Sequence, residues 1–377
     1  MQIRGGMPDA IETLLRKAAG QSGVIGFGGG LPSPRQFPRR ALVEALADVV
    51  LQPSSDALQY AWPEGSDALR ARIAEHMRSR GADVDPDRIL VTSGAQQALM
   101  VAAQLLCPRG SRILTDAETY PGALDLFRAR EITPVPRTEG PADACAIYAM
   151  PAIGNPHGVG MGEAERHELL ASGLPILEDD AYGDLRFDGP GPRPLCAEAP
   201  DRVFFIGTFS KTLAPGLRVG WLVPPEPFLE DAVGRKHDAD LQSNGLGQAL
   251  VERYLRDEAF PRRLEKLRDF YRRRAKRLAA ALRRELPGWR FRFPEGGFAL
   301  WLEPDAPDCP GGELGLLEAA VEEGVSFDPG SLFRPDRAAQ PLALRVCFSA
   351  LDPDALAEGA RRLARAWRRL NVSRSAS

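Results

Sequence analysis

Lys211 stands at the end of an apolar run, in Gly207-Thr-Phe-Ser-Lys211-Thr-Leu-Ala-Pro-Gly-Leu-Arg218-Val-Gly-Trp221, with hydroxyls on both sides and an arginine seven residues on. An amine held near apolar surface or beside another cation loses basicity and becomes a nucleophile towards an aldehyde. Taken alone, the segment suits a surface lysine in a turn equally well. A nucleotide-binding loop does not fit, because Ser210 occupies the place where that loop needs glycine.

Three other segments could do chemistry with it. Ser93-Gly94-Ala95-Gln96-Gln97 follows an apolar run and opens an apolar helix. Small residues there let backbone N–H groups approach an anion that the helix dipole also favours, so a phosphate or an ordinary helix start both fit. Leu177-Glu178-Asp179-Asp180-Ala181-Tyr182 puts three carboxylates and a phenol just after another apolar run. A buried carboxylate needs a cationic partner, and a protonated pyridine nitrogen is one, although capping or a turn would account for any single carboxylate. Asn155, in Met150-Pro-Ala-Ile-Gly-Asn-Pro-His-Gly158, suits a turn or a hydrogen bond to a phenolate oxygen. The glycines of Gly26-Phe-Gly28-Gly29-Gly30-Leu31 are no dinucleotide fingerprint, because Leu31 takes the third glycine position.

These segments need elements to hold them. Apolar runs at residues 88–92, 112–115, 145–149, 174–178, 203–207 and 219–223 alternate with helical stretches. That alternation predicts an α/β domain with a mostly parallel sheet covered on both faces. Several runs end directly in the segments above, where ligands of open α/β sheets bind. After about residue 245 the texture changes. Leu264, Leu267, Tyr271, Leu278 and Leu282, and later Leu356, Leu363, Trp367 and Leu370, keep the spacing of amphipathic helices. The Lys- and Arg-rich stretch 262–284 reads as a solvated helix face, since no aromatic interleaving accompanies it.

Composition narrows the classes. A 377-residue chain that is 44% hydrophobic can bury a sizeable core. Its net charge of −3 lacks the positive field of an obligate nucleic-acid binder. The 37 glycines and 33 prolines are read as many tight turns. Five dispersed cysteines (Cys107, Cys145, Cys196, Cys309, Cys347) without C-x-x-C or His spacing argue against a disulfide framework and a zinc site. With no signal-like segment and no long apolar run, the expected location is the cytoplasm, away from membranes.

In this order and over nearly the whole chain, the segments resemble the fold-type I pyridoxal 5′-phosphate (PLP) enzymes of the class I/II aminotransferase family. The likeness is to the branch with aminoadipate and kynurenine aminotransferases and the effector domains of MocR-type regulators. The resemblance implies a large PLP-binding domain (41–245) with a seven-stranded mostly parallel sheet. It also implies a smaller α+β domain formed by 246–377 with the N-terminal segment 1–40. Carried across position by position, it makes Lys211 the residue holding the cofactor as a Schiff base and Asp179 the partner of the pyridine nitrogen. Tyr182 and Asn155 then face the phenolic oxygen, and Tyr120 stacks on the ring. Gly94, Ala95, Gln96, Thr208, Ser210 and Arg218 form a phosphate cup. Tyr60, in Tyr60-Ala-Trp-Pro-Glu-Gly65, reaches the phosphate of a neighbouring subunit, which implies a homodimer with shared sites. Arg345, in Leu344-Arg345-Val-Cys-Phe-Ser349, grips the substrate α-carboxylate, and Gly29 and Gly30 close over the substrate. Two positions depart from the family pattern: His157 stands for the usual threonine and Thr208 for the usual serine.

The implied activity is transfer of an amino group between an L-amino acid and a 2-oxo acid. Lys211 would act as the base at Cα and Asp179 would keep the ring able to accept electrons. The same constellation supports elimination, decarboxylation or oxidation, and a PLP or amino-acid sensor without turnover. A sensor of that branch would carry a DNA-binding domain ahead of the PLP fold, and only about two dozen residues precede the glycine loop. The helix expected at Met7–Ala19 is placed against the substrate pocket, offering Glu12, Arg16 and Lys17, with Glu12 near where acidic-substrate members have arginine.

Overall fold

The computed structural model describes residues 7–52, 56–140, 143–256, 259–305, 309–337 and 341–375. Seven strands form the main sheet in the spatial order Leu90–Thr92, Gly220–Val223, Val203–Thr208, Ile176–Asp179, Ala144–Ala149, Arg112–Thr115, Thr133–Pro136. Gly220–Val223 is antiparallel to both of its neighbours and the remaining pairs are parallel, so six strands run the same way. Val203–Thr208 and Ile176–Asp179 are buried at every position. Strands covered on both faces have no reason to alternate, which is why they read as continuous apolar runs.

The seventh strand has no counterpart among the six apolar runs. Thr133–Pro136 carries two prolines and lies at the sheet edge beside Arg112–Thr115 alone. Proline cannot donate to a ladder, and an edge is where that loss is tolerated.

Because six strands share a direction, their C-terminal ends meet along one rim, and five of them lead into one of the predicted segments. Thr92 leads to Gly94, Thr115 to Tyr120, Ala149 to Asn155, Asp179 to Tyr182 and Thr208 to Lys211. The reversed strand completes the rim from its other end, since Arg218 lies two residues ahead of its first residue, Gly220. Close packing fixes two glycines there. A Cβ on Gly220 would lie 2.7 Å from Gly94 C, and one on Gly94 would lie 2.7 Å from Arg218 Nη2. Gly94 also has φ of +85°, a conformation that other residues reach only with strain.

A second, antiparallel sheet is ordered Asp328–Pro329, Leu344–Cys347, Ala299–Pro304, Trp289–Arg290. The helices Ala259–Glu285 and Pro353–Ser375 pack on one another here. Leu267, Tyr271, Leu278 and Leu282 meet Leu356 and Leu363 in one apolar cluster, as their spacing requires. Ile25–Gly26 pairs in parallel with Val325–Ser326 as a separate two-stranded ladder, and the Cys347 amide donates to Phe27 O at 2.7 Å, which ties the N-terminal glycine loop to the second sheet. The molecule is thus α/β with a seven-stranded, mostly parallel sheet and a smaller antiparallel one.

Candidate active site

A cavity of about 160 Å³ opens on the rim. Ala95, Gln96, Tyr120, Asn155, Asp179, Tyr182, Thr208, Ser210, Lys211 and Arg218 all line it. A smaller adjoining space is lined by Gly30, Asn155, Tyr182, Phe298 and Arg345, so Asn155 and Tyr182 face both.

At one end the groups suit an oxyanion. Helix Ala95–Leu106 starts at Gly94 with no side-chain cap, leaving first-turn N–H groups in need of an acceptor. Thr208 Oγ1 lies 3.0 Å from Ser210 Oγ, and Arg218 donates to Ser93 O at 2.9 Å with further N–H groups to spare. The Gln96 side chain turns away, donating to Gly122 O at 2.9 Å, so its backbone is the part available to an anion. Tyr120 forms a wall, and its ring has room because residue 122 is glycine: a Cβ there would lie 2.7 Å from Tyr120 Cε1.

Asp179 is at the far end, buried. Its Oδ2 accepts from Tyr148 Oη at 2.7 Å and its Oδ1 from the Ala181 amide at 3.2 Å. No salt bridge among the described residues includes it. Burial pushes its pKa up to about 6, against those two hydrogen bonds. A buried anion without a cation is costly, and a pyridinium fits that need.

Lys211 Nζ donates to Gly30 O at 3.3 Å and lies 5.5 and 5.8 Å from the ring centroids of Tyr182 and Phe298. Burial, and then the nearby Arg345, bring its pKa down to about 8. The donor set therefore fits PLP, with an uncapped helix start and hydroxyls for the phosphate, a wall for the ring, a carboxylate for its nitrogen and an amine of lowered basicity.

Arg345 is buried and held on several sides. Its Nε and Nη2 donate to Asp328 Oδ2 at 3.0 and 2.6 Å, and its Nη1 donates to Asn155 Oδ1 at 2.8 Å. The guanidinium carbon sits 4.6 Å from the Phe333 ring centroid. Burial opposes its charge, but Asp328, with Cys347 and Tyr182, outweighs burial and keeps it protonated. The Gly29 amide donates to Asp328 at 3.1 Å, and a Cβ on Gly30 would lie 3.4 Å from Arg345 Nη1. Asp328 thus fixes both the arginine and the glycine loop. His157, at the rim, has Nε2 3.5 Å from Glu118 Oε2 and its ring 5.3 Å from that of Trp301.

Tyr60 is 81% exposed and lines no part of the cavity of its own chain, as a residue expected to reach a neighbouring subunit would be placed. One expectation comes out differently. Helix Met7–Ala19 packs Ile11 and its neighbours against helix Gly312–Glu322, and Glu12 pairs with Arg16 in solvent. None of its residues 11–19 lines the cavity, because its apolar stripe is consumed by that packing. Sequence reasoning missed Tyr148, Asp328 and Phe298. Tyr148 lies inside an apolar strand and looks like core, whereas Asp328 could have been noticed as the lone carboxylate between Phe327 and Pro329.

Residues 23–363 match the family described as aminotransferase class I and II. A 2-aminoadipate transaminase of Thermus thermophilus is 37% identical, the alignment covering 94% of this chain and 93% of that protein. The crystal structure of an α-aminoadipate aminotransferase from the same species, complexed with N-(5′-phosphopyridoxyl)-L-leucine, superposes with a TM-score of 0.85 at 34% identity over 97% of each chain. A Pyrococcus horikoshii kynurenine aminotransferase gives a TM-score of 0.87 at 28% identity over 98% of this chain and 95% of that one.

Proposed function

The chain belongs to the class I and II aminotransferase family, a PLP-dependent aminotransferase of fold type I, and we propose that it moves the amino group of an L-amino acid to a 2-oxo acid through Lys211. The observation that carries this reading is the pairing, in one cavity, of a half-buried amine of lowered basicity with Asp179, a buried carboxylate in no salt bridge among the described residues.

Bound there, PLP supplies an electron sink that acidifies the Cα–H of an attached amino acid. Lys211 would hold the cofactor through Nζ and would be the base that moves the proton at the substrate Cα. Asp179 holds a negative charge against the ring nitrogen, and Tyr148 holds Asp179. Gly94 makes the turn, its own amide donating to Thr92 O, so that Ala95 and Gln96 offer backbone amides to the phosphate, with Thr208, Ser210 and Arg218 offering side chains. Tyr120 would stack on the ring, and Tyr182 and Asn155 would face its phenolic oxygen. Arg345, braced by Asp328 and Asn155, takes the α-carboxylate, which fixes the Cα bond that breaks. Gly29 and Gly30 close the substrate in.

We read the working unit as a cytoplasmic homodimer that acts on small molecules and binds neither nucleic acid nor membrane. Its support is the run of exposed large apolar side chains between residues 43 and 62, Val43, Leu51, Leu58, Tyr60 and Trp62 among them. No helix among the described residues is long and apolar enough to cross a membrane.

An absorbance titration tests the reading. The chain should develop the cofactor's visible band on adding PLP, lose it with a single L-amino acid and release the matching 2-oxo acid. Lys211→Ala should lack the band and lose about 10⁴-fold or more in turnover. A colourless wild type sinks the assignment, and ammonia or carbon dioxide in place of the oxo acid replaces transamination with another reaction.

A further inference from the structure

Far from the cavity mouth, the helix that starts at the phosphate end of the cavity finishes on a cysteine. Cys107 is the C-cap of Ala95–Leu106, buried, its amide donating to Ala103 O at 2.9 Å. Cys145 is the second residue of Ala144–Ala149 and half-buried. The two sulfurs lie 3.0 Å apart, and both thiols are free.

That approach is built by the sheet. Against strand Arg112–Thr115 the register passes from Arg112 opposite Ala144 to Ile113 opposite Ala146, leaving Cys145 as the extra residue of a bulge. A bulge re-aims the side chain it carries. Here it turns the sulfur to Cys107, 3.5 Å from Ser111 Oγ and 3.0 Å from Arg112 O. We propose that Cys107 and Cys145 form a redox modification site, in which a hydroperoxide oxidises Cys145 and Cys107 closes a disulfide between helix end and strand.

The steps balance. The Cys145 thiolate attacks the terminal peroxide oxygen, the O–O bond breaks, and with one proton the products are a sulfenic acid and an alcohol, or water from hydrogen peroxide. Cys107 sulfur then attacks Cys145 sulfur, the S–O bond breaks, and water leaves carrying the Cys107 proton. Two thiols lose two electrons to one peroxide, and a dithiol reductant reverses the change.

Acidity matches these roles. The hydrogen bond with Cys107 and that with Ser111 bring Cys145 down to about 6, although burial opposes them, while the same contact and burial push Cys107 up. Cys196 and Cys347 are held up by burial, and Cys309 by burial to about 11. The nucleophile is the thiol nearer solvent and the resolving thiol is the one shielded from it.

The test uses the full-length chain treated with hydrogen peroxide, alkylated, digested without reductant and read by mass spectrometry. Alkylatable thiols should fall from five to about three, with one new species joining the Cys107 and Cys145 peptides that dithiothreitol removes. Cys107→Ser should stop at a sulfenic acid on Cys145 that dimedone traps, and Cys145→Ser should leave Cys107 unmodified. Neither thiol touches the cavity, so both reduced variants should keep wild-type turnover. Links to any other cysteine or between chains, faster reaction at Cys309, or peroxide carrying Cys145 to the sulfinic acid without a link would each overturn the proposal.

Discussion

Asp179 and Asp180 are neighbours in the chain and both are buried, yet they live in opposite electrostatic worlds. Successive side chains of a strand point to opposite faces, so one aspartate looks into the cavity and the other into the core behind it. Asp180 is ion-paired with Arg80, and Arg80 also lies 3.8 Å from Asp184, whose partner is His76 at 3.0 Å. Burial works against Asp184, but His76 and Arg80 outweigh it and hold its carboxyl well below the usual range. Asp179 receives only a phenol and an amide. The rear carboxylates have a cation of the chain, Arg80, in ion-pair contact, whereas the front carboxylate is in no salt bridge among the described residues. That contrast separates a carboxylate kept for structure from one kept for a ligand.

Substitution should pull the two apart. Asp179→Asn should cost turnover roughly 10³-fold or more, the scale of lost charge stabilisation at a reacting centre, without lowering the unfolding midpoint of the cofactor-free chain. The sign follows from linkage. Burial raises the folded pKa of Asp179 to about 6, so the folded state holds the proton more tightly than the unfolded one. The stability it contributes is then lost as pH rises from about 4 to about 6. Denaturant titrations of the cofactor-free chain at both ends of that window should show wild type losing up to roughly 3 kcal/mol relative to Asp179→Asn. Equal losses in both proteins would deny Asp179 its unpaired state.

Arg80→Met should do the reverse. Leaving Asp180 and Asp184 buried without that cation should destabilise the fold by about 3–5 kcal/mol, read as a fall in the unfolding midpoint. Turnover of the surviving folded enzyme should hold within about tenfold. A stable but inactive Arg80→Met would erase the distinction between the two faces. The smallest effect is expected from Tyr148→Phe, which removes one hydrogen bond to Asp179. A loss of about 1–2 kcal/mol from the ring–carboxylate interaction should appear as weaker cofactor retention and a shifted pH dependence of the visible band, with the melting temperature little changed.

How much of this could be read from the sequence depends on whether a residue's role is local. Strands such as Val203–Thr208 and helices such as Ala259–Glu285 announce themselves, because continuous burial or one apolar stripe leaves a pattern in the chain. Lys211, Asp179 and Arg218 were legible in the same way, through segments at strand ends. Thr133–Pro136 was not, since an edge position forgives residues that a central strand excludes. Tyr148 and Asp328 act through partners 31 and 17 residues away, and nothing in their own neighbourhood says that the side chain is aimed at a charge. The Met7–Ala19 helix was correctly a helix, but which surface receives its apolar stripe is decided by tertiary packing.

Tyr60 remains 81% exposed, outside the cavity that its own chain builds. In the proposed dimer, that geometry makes each chemical unit a composite of two polypeptides, so defects can complement. A Lys211→Ala chain joined to a Tyr60→Ala chain would carry one site with both lesions and one with neither. Two impaired preparations, unfolded and refolded together, should regain about a quarter of the wild-type number of intact sites, while either alone regains none.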